Sequence, residues 1–220
     1  NNFIAWQHAQ ISEIGGYFSL RSQNEQLAAE NTALRNRICS MDSAKNNAPI
    51  HYEQAKVVQM TTDQLHNYLT INRGSKDGIQ SKQGVRNEDG VVGIVRTVGR
   101  NYSVVQPLIN TETNLSCRFA KNGYFGTLQW DGKDNRFALL TDVAAHMVVN
   151  PGDTIITSGL TTAFPEGIPV GIVENSTLRE GESYYTIRVR LNTNFKRLKY
   201  VEVVQNAHQN ELEELTNGMD

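Results

Sequence analysis

The sequence predicts a mainly β protein that carries an α-helical coiled coil at its N-terminus. Three observations predict it. A seven-residue repeat of apolar and Asn positions runs through 17–41, a short polar stretch ending in Pro49 and Ile50 stops it, and from 51 to 206 the period changes from helical to alternating.

Residues 1–43 are rich in Gln, Glu, Ala, Leu and Arg and hold no Pro. Gly15-Gly16 interrupts them, and since each Gly costs about 1 kcal/mol in a helix interior relative to Ala, a weak point is expected there. From Tyr17 onward Leu20, Leu27, Leu34 and Met41 recur as the d positions of a heptad, with Tyr17, Asn24, Asn31 and Ile38 as the a positions. Two Asn at a positions hydrogen-bond across a two-stranded parallel seam and pair badly in other registers, so they give up stability to fix partner number and alignment. In such a dimer Glu30 at g faces Arg35 at e of the second helix, an exposed pair that guides more than it holds. A helix lying on its own domain would need a wider apolar face than this narrow stripe. The eight a and d residues are therefore the expected dimer interface, and 1–43 the dimerisation stalk.

The stretch 44–50 reads as a linker. Twelve short strands are expected after it, at 55–60, 66–72, 84–87, 91–98, 102–107, 115–119, 124–130, 136–141, 153–158, 168–174, 184–193 and 199–204. Tyr185, Ile187, Val189 and Leu191 alternate with Thr186, Arg188, Arg190 and Asn192, as do Leu115, Cys117 and Phe119 with their neighbours. Asp89-Gly90, Asp131-Gly132 and the Gly74 to Gly78 segment carry turn chemistry. Twelve strands are too many for one small barrel, whereas two closed six-stranded barrels would remove every exposed edge. The acidic, polar segment 207–220 reads as a frayed tail.

Composition excludes several functions. A net charge of −2 offers no basic footprint for nucleic acid, and no run of about 18 apolar residues is present to span a bilayer. Cys39 and Cys117 fall in different modules, so no structural disulfide is expected. His8, His51, His66, His146 and His208 have no metal-ligand spacing, and there is no phosphate loop; no metal or cofactor is expected. Ser158, in Thr157-Ser158-Gly159-Leu160, lacks the nucleophile-elbow pattern and is expected to close a strand into a turn, so no catalytic residue is expected. Trp130 and Phe195 are expected in the core.

The segment Ala163-Phe164-Pro165-Glu166-Gly167-Ile168-Pro169 has its backbone fixed by two prolines and a glycine. Phe164 and Ile168 admit two readings: a rigid apolar contact surface for a partner, which would lose little entropy on binding, or a folded-in loop that plugs a barrel end. Tyr124 and Phe125 are the second candidates for partner contact.

The run Gly152-Asp153-Thr154-Ile155-Ile156-Thr157-Ser158-Gly159-Leu160, followed by Phe164-Pro165-Glu166-Gly167-Ile168-Pro169-Val170-Gly171-Ile172-Val173, resembles the signature of the bacterial rod-shape-determining MreC family. Asn24-Glu25-x-Leu27, Glu30-Asn31-x-x-Leu34-Arg35, Asn72 to Ile79, Gly90 to Val95, Tyr124-Phe125-Gly126 and Trp130-Asp131-Gly132 match in order, so the resemblance covers about 20–205. It implies a periplasmic coiled coil followed by two β-barrels that are similar to those of trypsin-like proteases but hold no active site. It implies a homodimer that self-associates further and scaffolds the cell-wall elongation machinery. The implied partners are a class B penicillin-binding protein, MreD and, through the complex, RodA and MreB, on the periplasmic side of the bacterial inner membrane. It also implies a cytoplasmic stub and membrane helix ahead of Asn1, where the chain begins abruptly. Read with the strand count, the resemblance gives one barrel inserted in the other: 51–83 with 147–206 as the first, 84–146 as the second.

Two functions from different classes remain open on the residues alone. One is this non-catalytic scaffold. The other is a periplasmic adaptor of an efflux or secretion assembly, which also joins coiled coil to β-modules but needs a helical hairpin with two antiparallel arms; the sequence offers one arm.

Overall fold

A computed structural model describes residues 22–40, 50–179 and 181–206. One helix, α1 (22–40), precedes twelve strands: β1 (Ile50–Met60), β2 (Leu69–Ile71), β3 (Gly84–Arg86), β4 (Val91–Val98), β5 (Ser103–Pro107), β6 (Asn114–Phe119), β7 (Phe125–Gln129), β8 (Phe137–Ala144), β9 (Thr154–Thr157), β10 (Pro169–Thr177), β11 (Tyr184–Leu191) and β12 (Tyr200–Asn206). Each of the twelve overlaps one of the twelve expected strand segments. The first begins earlier than expected, because Ile50–Gln54 pair with Asn206–Glu202. Tyr17, Leu20, Met41, most of the 44–50 linker and the tail 207–220 lie outside the described residues.

The strands close into two antiparallel barrels of six, in the orders β1-β12-β3-β4-β5-β2 and β10-β11-β8-β7-β6-β9. One barrel is inserted in the other, but the division differs from the expected one. Segment 84–107 belongs to the first barrel, where Val85 pairs with Val203 and Leu69 with Val105. Segment 154–191 belongs to the second, where Cys117 pairs with Thr157 and Ile187 with Leu140. The first barrel is therefore built from 50–107 and 200–206, and the second from 114–191. Cutting the chain at 84 and 147 also gives each barrel six strands, so counting could not choose; only long-range pairing does.

The ladders shift register at Val95/Thr97 in β4, Val173/Asn175 in β10 and Tyr185/Ile187 in β11, and shifts of this kind sharpen the local twist that a closed barrel needs. Alternation then fills each lumen. Ile187, Val189 and Leu191 point inward from β11, Leu115, Cys117 and Phe119 from β6, and all are buried. Side chains fill a barrel of this size completely. Gly78, at φ 77° after the short 3-10 turn Ser75–Asp77, and Gly132, at φ 79°, take the left-handed conformations that their turns require.

The barrels meet along a hydrogen-bonded seam. The Gly84 amide donates to the Ala163 carbonyl at 3.1 Å. Thr193, on the connection back to β12, donates its hydroxyl to the Val91 carbonyl at 2.8 Å and lies 3.1 Å from the Asn87 side-chain oxygen. Across the outgoing connection, Asn67 donates to the Ile109 carbonyl at 2.7 Å and Asn110 donates to the Asn67 carbonyl at 2.8 Å. Polar side chains thus satisfy backbone groups that leave one barrel without yet joining the other.

Candidate interaction surfaces

Helix α1 presents two chemically different faces. One docks on the first barrel through polar contacts. Thr32, buried, donates its hydroxyl to Glu202 Oε1 at 2.8 Å. Glu202 Oε2 lies 3.2 Å from Arg35 Nε and 3.6 Å from Arg86 Nε. Asn36 donates to the Tyr52 carbonyl at 3.0 Å and accepts from the Tyr52 amide at 2.7 Å. At the N-terminal end Glu25 receives Lys56 Nζ at 3.2 Å and the Tyr200 hydroxyl at 3.0 Å. Glu202 and Arg86 are both buried, so their charges are affordable only as a mutually compensated group. Burial, ahead of the neighbouring Cys39, pushes the Tyr52 hydroxyl above the ordinary tyrosine range, and the Arg86 guanidinium at 5.8 Å from its ring works the other way.

The other face carries the heptad. Leu27 and Leu34 are 55% exposed and Ile38 60%, with Asn24 and Asn31 exposed beside them. Thirteen large hydrophobic residues stand out from the surface of the described residues, and three of them fall on this one stripe. The docking face includes Glu25, Thr32, Arg35 and Asn36, which polar composition hid from a reading based on apolar periodicity. The stripe therefore stays free although the helix does lie on its own domain.

The Phe164 segment takes the second of its two readings. Phe164 is 2% and Ile168 4% exposed, which corrects their expectation as partner contacts. Thr157 holds the loop in: its hydroxyl donates to the Pro165 carbonyl at 2.6 Å and accepts from the Ile168 amide at 2.9 Å. Phe164 does more than plug one barrel, because it lies in the seam against Gly84 of the other. Tyr124 and Phe125, by contrast, are 40% and 50% exposed. Phe125 sits opposite Arg118 on the outside of the second barrel, and Arg118 pairs with Glu166. Val148 and Leu160 are exposed as well and were not singled out by sequence, since an isolated apolar residue in a loop carries no periodic signal.

Ser158 is buried; its hydroxyl bonds Ser116 Oγ at 2.9 Å and accepts from the Leu160 amide at 3.2 Å, which ties the end of β9 to its turn. Among the described residues no three His, Cys, Asp or Glu side chains cluster to hold a metal ion, and no helix is long and apolar enough to cross a membrane.

The family model described as rod shape-determining protein MreC, barrel core, matches residues 57–205. The cell shape-determining protein MreC of Haemophilus influenzae is 30% identical over 182 residues, covering 80% of this chain and 49% of that protein. The Escherichia coli protein of the same name is 26% identical, covering 90% and 59%. The chain thus spans about half the length of the curated relatives it matches. Among solved structures, MreC from Pseudomonas aeruginosa aligns with TM-score 0.65 at 23% identity, over 70% of this chain and 99% of that one. The Helicobacter pylori MreC chain, solved in complex with the penicillin-binding protein PBP2, aligns with TM-score 0.56 at 15% identity, over 71% and 99%. At these identities the structures establish the shared fold.

Proposed function

This chain belongs to the rod shape-determining protein MreC family, whose members are structural and non-catalytic, and from that premise we propose that it is a periplasmic scaffold of the cell-wall elongation machinery. It dimerises through α1 and positions peptidoglycan synthases, and so serves cell shape. The observation that carries the reading is the pairing of an exposed Leu27–Leu34–Ile38 stripe with a helix already anchored to the first barrel by Thr32, Arg35 and Asn36. An apolar stripe left free on an anchored helix is suited to a second helix, and anchoring removes part of the ordering cost of assembly.

The synthase partner is a class B penicillin-binding protein, in keeping with the PBP2 complex of the Helicobacter pylori relative. MreD, and RodA and MreB through the complex, follow from family resemblance. Location on the periplasmic side of the inner membrane fits the solved relative described as a major periplasmic domain. Tyr124 and Phe125 on the second barrel form the proposed contact. An efflux-type adaptor lacks support, since the described residues hold one helical arm and no antiparallel second. The test is a pull-down of this chain against the periplasmic part of a class B penicillin-binding protein, with sedimentation of the free chain. Dimer formation and capture support the scaffold; a monomer that captures no synthase overturns it.

A further inference from the structure

The heptad stripe does not end at the helix. Asn24, Leu27 and Asn31 also line one wall of a groove of about 860 Å³ between α1 and the first barrel, and the opposite wall is the segment that leads into β12, with Lys196, Arg197 and Lys199. These three side chains are exposed. Arg35, at an e position, reaches into the same groove from the helix. Cations slightly outnumber anions there, since the acidic members are Glu88, Asp89 and Glu202, and Glu202 is already held by Arg35 and Arg86.

We infer that the second copy's helix packs into this groove, so that the Lys196–Lys199 segment of each first barrel is part of the dimer interface. The inference rests on the dimer reading above and adds a second wall to it. In a parallel two-stranded coil, e positions face the g positions of the other helix. The e positions here, Ala28 and Arg35, are the ones turned toward the barrel, and both line the groove. The g residue that arrives beside them is the partner's Glu30. Within its own chain Glu30 is exposed, accepts from Gln26 at 3.0 Å, and is two residues from the docked Thr32. Two residues turn a helix by about 200°, so Glu30 faces away from its own basic segment. Its carboxylate thus meets no barrel cation in the monomer, whereas in the dimer it approaches Arg35 and the Lys196–Lys199 segment together. Two-fold symmetry puts the two barrels on opposite sides of the coil, and each helix is then flanked by its own barrel, the other helix and the other chain's basic segment.

The test mixes two versions of the full chain, both carrying Cys39→Ser, one with Glu30→Cys and the other with Lys199→Cys. Under mild oxidation the mixture should give a disulfide-linked heterodimer, while a single chain carrying both substitutions should form the bond between chains and not within one. Independently, Lys196→Glu with Lys199→Glu should raise the dimer dissociation constant about tenfold by charge reversal, and Glu30→Lys added to that chain should restore part of the loss. A chain that sediments as a dimer, forms no such cross-link and is indifferent to the charge reversal overturns the groove and leaves the stripe reading standing. A chain that stays monomeric at every concentration overturns both.

Discussion

The ring of Phe164, from the second barrel, lies directly against Gly84 of the first, at a point where any Cβ on residue 84 would run into that ring and into the Ala163 carbonyl. The Gly84 amide donates to that same carbonyl, so the backbone approaches as closely as a ladder pair while an aromatic side chain covers it. A residue expected either to plug a barrel or to grip a partner is folded in, and also joins the two barrels.

Truncating that ring should therefore cost fold stability. Phe164→Ala removes a buried aromatic, a change worth about 3–5 kcal/mol, and in a domain of this size should lower the melting temperature by about 10 °C. Gly84→Ala should also destabilise, since the atoms it meets are backbone and a packed ring and neither yields cheaply. Thermal melts of the two variants check this. A Phe164→Ala protein that melts like the parent would place the ring outside the seam.

Strand positions were legible because alternation is local: Ile187, Val189 and Leu191 declare their face with no reference to the rest of the chain. Barrel membership was not, because it depends on pairings such as Val85 with Val203 that no window of sequence contains. The heptad was legible for the same local reason. The docking face was not, because Thr32 and Asn36 look like solvent residues until Glu202 and Tyr52 are brought to them. Sequence favoured the folded-in reading of Phe164, because a barrel needs its ends closed; its burial decides against the interface, and only the glycine opposite shows that it reaches the other barrel.

The stripe should govern assembly without supporting the fold. Replacing Leu27, Leu34 and Ile38 together by Ala removes side chains that are already more than half exposed, so the barrels should keep their melting temperature while the sedimentation mass falls to that of a monomer. Asn24→Leu with Asn31→Leu should do the opposite, strengthening the coil but yielding mixed oligomers because the paired polar seam is lost. A single clean dimer in that double variant would place both Asn outside the seam.

Glu202 should hold the helix to the barrel. Glu202→Ala leaves Arg86 buried with an unpaired charge, and removes the partner of Thr32 and Arg35. Breaking a buried ion pair in this way costs about 3–5 kcal/mol. Besides lower resistance to urea, the variant should be cut faster by trypsin at Arg35 and Arg37, since release of α1 from the barrel opens those bonds to the protease. Unchanged cleavage would mean that Asn36 and Glu25 suffice to dock the helix.

The two thiols should report folding separately. Burial pushes the Cys117 thiol far above the ordinary cysteine range, so almost no thiolate is available to react. Cys39, half-buried on the helix, remains accessible. A thiol reagent at neutral pH should modify one site per folded chain and the second only with global unfolding, which mass spectrometry of the labelled peptides resolves. Rapid native labelling of Cys117 would mean that the second barrel opens locally.

Synthase binding should depend on the outer face of the second barrel. Tyr124 and Phe125 are exposed at the start of β7, and Phe125 lies beside Arg118, whose guanidinium is held by Glu166. An aromatic next to a fixed arginine resembles the composition of binding hot spots, in which aromatic and Arg side chains dominate. Phe125→Ala should weaken binding of a class B penicillin-binding protein by about 1–3 kcal/mol, roughly a tenfold to hundredfold rise in dissociation constant. Its melting temperature should hardly move, because the half-exposed ring contributes little to the core. That combination separates Phe125 from Phe164, for which a change in melting is expected first. If Phe125→Ala binds the synthase with the parent's affinity, the partner contact lies on another face of the barrels, and the exposed Val148 and Leu160 become the next residues to replace.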